Sequence, residues 1–107
     1  MRVVATNNEL TSIFDVKNPP LHLDYLNVSS NSIAKMSDLS CHKHLRILNL
    51  RGNQIVQMGG IEKNHKLEIL DISENQIEEI SGLDDLNIKE LYLSNNALET
   101  IKGMTKL

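Results

Sequence analysis

The sequence predicts an α/β repeat solenoid: a right-handed curved stack with a parallel β-sheet on its concave face and short 3₁₀ or irregular turns on its convex face. Three observations lead to this fold class. An apolar pattern recurs at nearly constant intervals, apolar and other residues alternate within each unit, and an Asn follows each alternating segment at a fixed distance. One such unit cannot bury its own apolar face, so stacked units are expected to share a continuous core.

Four units carry the recurring pattern. They begin at Leu23, Leu45, Leu67 and Ile88, so successive starts are 22, 22 and 21 residues apart. Upstream, Val3 and Asn8 match the pattern although its first apolar positions are missing, and the chain is therefore expected to open and to stop inside a repeat. We divide the single predicted domain, 1–107, into a partial repeat 1–22, repeats 23–44, 45–66 and 67–87, and a final incomplete repeat 88–107.

The repeat starting at Leu67 reads L-EI-L-D-I-SE-N-Q-I-EE-I-SG-L. The shared pattern, L-x-x-L-x-L-x-x-N-x-L/I-x-x-I/M-x-G-L, resembles the leucine-rich-repeat family. Its length and the I-x-x-I-x-G-L after the Asn are similar to the short intracellular subclass typified by the regulatory subunit of type-one protein phosphatase, which also includes a dynein light chain and a spliceosomal protein. Pro19-Pro20 and the shortened LNIKELYLSNN segment give a weaker similarity to the repeat region of leucine-rich-repeat/guanylate-kinase proteins.

The alternating segments predict short strands that bury one face and stack as a parallel sheet. Their apolar pairs are Leu26/Val28, Leu48/Leu50, Leu70/Ile72 and Leu91/Leu93. The Asn three positions later is predicted to satisfy backbone groups in a tight turn, so that stacked turns form an Asn ladder. The ladder residues are Asn31, Asn53, Asn75 and Asn96. The second half of each unit is too short for a free-standing α-helix, which predicts the 3₁₀-like or irregular return.

Residues between the inward-facing positions of each strand should face the concave surface in rows. One row is Tyr25, Ile47, Ile69 and Glu90; the next is Asn27, Asn49, Asp71 and Tyr92; a third is Ser29, Arg51, Ser73 and Ser94. Aromatic, Arg and aliphatic side chains grouped on a rigid surface are typical of protein interfaces. The predicted partner-binding residues are Tyr25, Asn27, Ile47, Asn49, Arg51, Ile69, Asp71 and Tyr92.

A structural interpretation of the same residues competes with the binding interpretation. Ile47 and Ile69 could be ordinary exposed residues that raise strand propensity and cover their neighbours. Beside them, the slot occupied by Asp24, Arg46, Glu68 and Lys89 alternates in sign along the stack. Opposite charges one strand spacing apart would form exposed ion pairs, each expected to contribute well under about 1 kcal/mol.

Composition argues against several partner classes. The formal net charge of −3 over 107 residues lacks the basic excess of a nucleic-acid or anionic-membrane binder, so neither partner is expected. The N-terminal segment has no apolar stretch typical of a signal peptide, and no window is apolar enough for a membrane span. We therefore expect a cytoplasmic location, with association with the cytoskeleton or a cilium as a narrower option. The single cysteine, Cys41, allows no intrachain disulfide.

No motif predicts catalysis or a cofactor. Cys41-His42-Lys43-His44 offers zinc-type ligands, and His22 and His65 lie in corresponding segments, but no second Cys gives a familiar spacing, so no metal is expected. His42 and Asn64 align with Leu86 and are interpreted instead as partly buried convex fillers. Gly-x-Ser-x-Gly and phosphate-binding G-x-x-x-x-G-K-[ST] patterns are absent. The acidic residues Glu78, Glu79, Asp84 and Asp85 are expected to form a solvated rim.

The resemblance implies a non-enzymatic protein–protein interaction module that binds a protein through its concave face, as a scaffold or targeting part of a larger intracellular protein. Two alternatives stay open. The chain could be a structural spacer for a neighbouring domain, for example a guanylate-kinase-like one. It could also associate end to end with copies of itself through uncapped apolar ends near Val3 and Met104 to Leu107.

Overall fold

A computed structural model describes residues 2–6, 9, 23–36, 39–40, 42–83, 85–97 and 100–101. Within these ranges, the regular elements are short strands of two or three residues. In chain order they are β1 (Arg2–Val4), β2 (Tyr25–Asn27), β3 (Ile47–Asn49), β4 (Ile69–Asp71), β5 (Glu79–Ile80), β6 (Glu90–Tyr92) and β7 (Thr100–Ile101).

Five of the strands form one parallel sheet in the order β1-β2-β3-β4-β6. Leu48 of β3 pairs with Leu26 of β2 on one side and with Leu70 of β4 on the other. Leu70 in turn pairs with Leu91, and Val3 pairs with Leu26, the residue to which the sequence pattern aligns it. The predicted repeat solenoid with stacked parallel strands is therefore confirmed.

The core lies between the sheet and the returning segments. The middle residues Leu26, Leu48 and Leu70 of their strands are 3% exposed or less. The second apolar residues Val28, Leu50 and Ile72 lie just beyond their strands and are equally buried, whereas Leu91 and Leu93 of the last pair are half-buried. Buried residues of the returns complete a single cluster, because each repeat offers apolar side chains to both of its neighbours. They include Ile33, Leu39, Ile55, Ile61, Ile77, Ile80, Leu83 and Leu86.

The returns contain isolated turns rather than a continuous helix. Hydrogen bonds join residues three apart, from the N–H of His42 to the carbonyl of Leu39 (2.9 Å) and from the N–H of Asn64 to that of Ile61 (3.0 Å). The structure adds a pairing that the sequence did not predict, since β5 and β7 run parallel and Gln57 bridges to Glu79. Two-residue strands are too short to produce the alternation by which strands are recognised.

The turn after each strand of the main sheet repeats one unusual backbone conformation. The residue before each ladder Asn has a left-handed φ, at Ser30 (57°), Gly52 (73°), Glu74 (55°) and Asn95 (58°). Gly and Asn tolerate the left-handed region, so the local sequence suits the conformation at Gly52 and Asn95. Ser30 and Glu74 have no such preference, and the fold therefore imposes the conformation at those two positions.

Candidate partner-binding face

The side chains that alternate with the core residues of the main sheet form what we call the open sheet face. Strand register aligns them in two rows. Row one contains Tyr25, Ile47, Ile69 and Glu90, and row two contains Asn27, Asn49, Asp71 and Tyr92. Strand β1 extends both rows, because Arg2 pairs with Tyr25 and Val4 pairs with Asn27. The sequence aligned Val3 with Leu26, and this alignment could have revealed Arg2 and Val4 as members of the face.

Row one has an apolar centre. Ile47 and Ile69 are half-buried, which corrects the expectation that both would be exposed. Neighbouring side chains in a row stand about 4.8 Å apart, so each covers part of the next. At the β1 end, the Arg2 guanidinium carbon lies 4.2 Å from the centroid of the Tyr25 ring. This cation–π contact holds a positive charge against the apolar row.

Row two helps to hold the ends of the strands. The Oδ1 atoms of Asn27, Asn49 and Asp71 accept hydrogen bonds from backbone N–H groups two residues later, at 3.1, 3.0 and 3.0 Å. These are Asx-type turns, in which a short polar side chain replaces a backbone acceptor. One oxygen of each of these predicted binding residues is therefore already used within the fold.

Tyr92 occupies the fourth position of row two and cannot form an Asx turn. Its side chain is 46% exposed, and its hydroxyl donates a 2.5 Å hydrogen bond to Oε1 of Glu90. This bond and the negative charge of Glu90 raise the pKa of Tyr92, with smaller contributions from desolvation and from Asp71. Together with Asp71, the pair makes the β6 end of the face acidic.

Ion pairs flank the two rows. Glu68 lies between Arg46 (3.9 Å) and Lys89 (3.5 Å), as expected from the alternating charges along that slot. On the other side, Nε of Arg51 donates to Glu74 at 3.0 Å. These pairs are largely exposed and contribute little to stability. Arg51, a predicted binding residue, is nevertheless paired with the Glu74 carboxylate of its own chain.

The side chains of the third predicted row are not all exposed to solvent. Ser73 is 1% exposed, which corrects its placement on the concave surface, whereas Ser94 is exposed. Beyond Asp71 the chain has left the sheet and entered the tight turn, where Nδ2 of Asn75 donates to the Ser73 carbonyl at 3.0 Å. The open sheet face is therefore limited to rows one and two.

The ladder Asn residues connect consecutive turns. Nδ2 of Asn53 donates to the Leu50 carbonyl of its own repeat (2.8 Å) and to the Val28 carbonyl of the preceding repeat (3.2 Å). Its Oδ1 accepts a hydrogen bond from the N–H of Ile33 at 3.0 Å. Asn75 and Asn96 make the equivalent bonds one and two repeats later.

Asn31 continues the ladder toward β1. Its Nδ2 donates to the carbonyls of Ala5, Val28 and Ser29 at 2.9, 2.8 and 3.1 Å. Asn31, Asn53 and Asn75 are at most 8% exposed. The ladder makes the open sheet face rigid, because it fixes the end of each strand relative to the next.

A second buried amide lies on the opposite side of the repeats. Asn64 is completely buried, and its Nδ2 donates to the carbonyls of Leu39 (3.0 Å) and His42 (3.1 Å). The sequence predicted Asn64 and His42 as partly buried fillers, but both are at most 2% exposed. Their alignment with Leu86 indicated burial, whereas the hydrogen bonds of Asn64 had no recurring pattern to reveal them.

Two cavities open near these surfaces. One, of about 220 Å³, lies at the β1 end of the open sheet face; it is lined by Arg2, Asp24, Tyr25, Arg46 and Ile47. The other, of about 660 Å³, lies between two returns; it is lined by Ala34, Lys35, Met36, Val56, Gln57, Met58, Gly59 and Gly60. Val56 is 37% exposed there. The sequence singled out neither cavity.

No group of three or more metal-ligating side chains occurs among the residues that the structure describes. Cys41, His22 and Asp84 lie outside those residues. Of the acidic rim, Glu78 and Asp85 are exposed, while Glu79 is half-buried in β5. Within the described ranges, no helix has the length and apolar character needed to cross a membrane.

Comparison with known families agrees with this architecture. Residues 43–85 match a family model described as Leucine Rich repeats (2 copies). The match supports the resemblance of this chain to a leucine-rich-repeat family. It covers β3 and β4 with the returns around them, and it includes the ladder residues Asn53 and Asn75. Leucine-rich repeats generally mediate protein–protein interaction and are typically non-enzymatic. No curated protein matches the chain.

Proposed function

We propose that this chain is a protein–protein interaction module that binds its partner through the open sheet face, as a scaffold or targeting part of a larger protein in the cytoplasm. The observation that carries the proposal is the apolar strip of Tyr25, Ile47 and Ile69, which strand register aligns on a rigid sheet. Half-buried aliphatic and aromatic side chains on a fixed backbone can be desolvated by a partner with little loss of conformational entropy.

The spacing of the strands supports a finer placement. Strands β2, β3 and β4 begin 22 residues apart and β6 begins 21 residues after β4. This length favours the short intracellular subclass of leucine-rich repeats over longer ones. We include in the proposal a role in phosphatase-linked, cytoskeletal or ciliary assemblies of the kind in which that subclass occurs.

The test compares two variants that carry substitutions on opposite surfaces. Ile47→Glu with Ile69→Glu places charge in the apolar strip, and Val56→Glu is a matched control on the return side. Each chain is immobilised and exposed to a lysate of the source cells, and retained proteins are identified by mass spectrometry. A partner retained by wild type and by the Val56 variant, but lost from the double variant, is the expected result. Circular dichroism checks that all three chains fold.

One specific observation favours the structural-spacer alternative. Asn27, Asn49 and Asp71 use side-chain oxygens within the fold, and Arg51 is paired with Glu74. If the face serves only stability, the double variant will retain the same proteins as wild type. Loss of partners from the Val56 variant alone would instead locate binding at the cavity between the returns.

A further inference from the structure

The charges on the open sheet face are separated by position along the stack. Arg2 is the cation at the β1 end of row one, and Glu90 is the anion at the β6 end, with Asp71 beside it. Tyr25, Ile47 and Ile69 lie between them in register. Four strand spacings separate β1 from β6 in the sheet, which corresponds to about 19 Å.

These end charges differ from the other charges around the sheet because no described residue forms an ion pair with them. Glu68 pairs with both Arg46 and Lys89, and Arg51 pairs with Glu74. Within the described part of the chain, no ion pair engages Arg2, Asp71 or Glu90. A partner therefore meets one end of the face as positive and the other as negative.

The positive end has the form of a receptor for a carboxylate. Arg2 lies over the ring of Tyr25, and a guanidinium can bind a carboxylate in a bidentate manner through its N–H groups. It lines the cavity of about 220 Å³ together with Arg46, whose guanidinium is already paired with Glu68 at 3.9 Å. Arg2 is therefore the cation of this lining that no described carboxylate pairs with. An acidic side chain of a partner would fit this cavity while its neighbours contact Ile47.

The negative end has the opposite chemistry. Glu90 accepts the hydroxyl hydrogen of Tyr92, and Oδ1 of Asp71 accepts the N–H of Ser73, so both carboxylates are held in place. A Lys or Arg of the partner could bind between them, with its alkyl stem against the exposed ring of Tyr92. Fixed carboxylates lose little entropy when they bind a cation.

We propose that the open sheet face binds a polypeptide segment of defined polarity: an acidic residue at the Arg2 end, apolar residues over Ile47 and Ile69, and a basic residue at the Glu90 end. The inference rests on the proposed function and adds the chemistry and direction of the ligand. The end charges of the segment must be about 19 Å apart, which corresponds to about six extended residues or about thirteen helical ones.

The experiment selects ligands without assuming their sequence. A phage library displaying random 16-residue peptides is selected on the immobilised full chain. Clones are kept if they bind wild type and the Val56→Glu variant but not the Ile47→Glu/Ile69→Glu variant. The expected result is a consensus with acidic, apolar and basic positions in a fixed order and spacing. Clones that depend on the face but share no charge order would overturn the inference and leave the proposed function intact.

A charge-reversed chain provides the matched control. Arg2→Glu with Glu90→Arg exchanges the end charges, and Asp71→Asn removes a charge while keeping an Oδ1 acceptor like that of Asn27 and Asn49. We expect the selected peptides to bind this triple variant about tenfold more weakly or worse, and peptides with exchanged end charges to regain the affinity. Equal affinity for both peptide orders would refute the polarity. If no selected peptide loses binding when Ile47 and Ile69 are replaced, the open sheet face does not bind peptide segments. That result would contradict the proposed function for such ligands, and the inference with it.

Discussion

Asn53 and Asn64 are both buried amides, but the backbone depends on them to different degrees. The N–H of buried Ile33 donates to Oδ1 of Asn53. By contrast, Asn64 donates only to carbonyls that also accept backbone N–H groups, those of Leu39 and His42. Its own Oδ1 is buried and accepts no hydrogen bond from the described residues. The two side chains should therefore respond differently to the same substitution.

We predict that Asn53→Leu lowers the free energy of unfolding by about 1 to 3 kcal/mol, because it leaves the Ile33 N–H buried without an acceptor. Asn64→Leu should change it by less than about 1 kcal/mol, since Leu86 fills the equivalent position and the substitution removes an unsatisfied oxygen. Urea denaturation followed by circular dichroism measures both. Equal losses for the two variants would contradict the interpretation of the ladder.

Tyr92 offers a second test at the scale of single residues. Its pKa is raised by Glu90, through the hydrogen bond and the charge, and less by desolvation and Asp71. Tyr25 and Tyr92 are the only two tyrosines, so Tyr25→Phe isolates the signal of Tyr92. Absorbance at the wavelength of the tyrosinate ion should show titration above the ordinary tyrosine range, and Glu90→Gln should lower the midpoint.

The raised pKa of Tyr92 also determines how its contribution to stability depends on pH. A pKa that is higher in the folded chain means that folding favours protonated Tyr92, so this contribution is complete below the ordinary tyrosine pKa. It is lost as the pH rises through the folded-state value. Glu90→Gln should reduce this contribution where it is complete, at neutral pH, and should therefore weaken the alkaline dependence of stability. A dependence that persists in Glu90→Gln would show that another group causes it.

Single residues also show which features of the face could be predicted from the sequence and which could not. The alternation of Leu and other residues was enough to place Ile47 and Ile69 next to each other, because a period of two fixes which face a side chain occupies. It could not show that Arg2 lies over Tyr25, since that contact depends on rotamers of exposed side chains. It also could not show that Asn49 and Asp71 would close their own strand ends, because the same residues are equally common on open surfaces.

The turns are the elements in which the fold opposes local sequence preference. Ser30 and Gly52 occupy equivalent left-handed positions, with φ of 57° and 73°. A Cβ on Gly52 would meet Ser30 atoms at ordinary contact distances of 3.5 Å or more, so substitution there costs backbone strain and no steric clash. The two positions therefore form a reciprocal pair for measuring the strain.

We predict that Ser30→Gly raises the free energy of unfolding by about 0.5 to 1 kcal/mol, because relief of the left-handed strain exceeds the added flexibility of the unfolded chain. Gly52→Ser should lower it by a similar amount. Thermal unfolding of the two single variants measures both signs. The same sign for both substitutions would mean that side-chain contacts, and not φ, determine the effect.

At the scale of elements, the main sheet was predictable and the second pairing was not. Four repeats with coincident apolar positions predict the register in which Leu26, Leu48, Leu70 and Leu91 pair in order. A slip of one residue would move the apolar side chains of a strand from the core to the solvent face. The β5–β7 pairing depends on how closely two returns approach. That approach is determined by the packing of whole repeats and is not encoded in the two or three residues that pair.

The whole molecule is a stack in which each repeat contacts only its neighbours, so the position of a core residue along the stack should determine its importance. Leu48 is fully buried, and its strand pairs with strands on both sides. Leu91 is half-buried, and its strand β6 is the last in the described order of the sheet. In such a stack, stability is the sum of repeat terms and neighbour-interface terms.

We predict that Leu48→Ala lowers the free energy of unfolding by about 2 to 5 kcal/mol, because it leaves a cavity and weakens two interfaces. Leu91→Ala should cost less than half as much, since less apolar surface is lost and fewer neighbours depend on it. Denaturation gives the two free energies. Hydrogen exchange should show that Leu48→Ala exposes amides of β2, β3 and β4 together, whereas Leu91→Ala affects mainly β6. Equal costs, or exchange that rises uniformly in both variants, would mean that the stack unfolds as one indivisible unit.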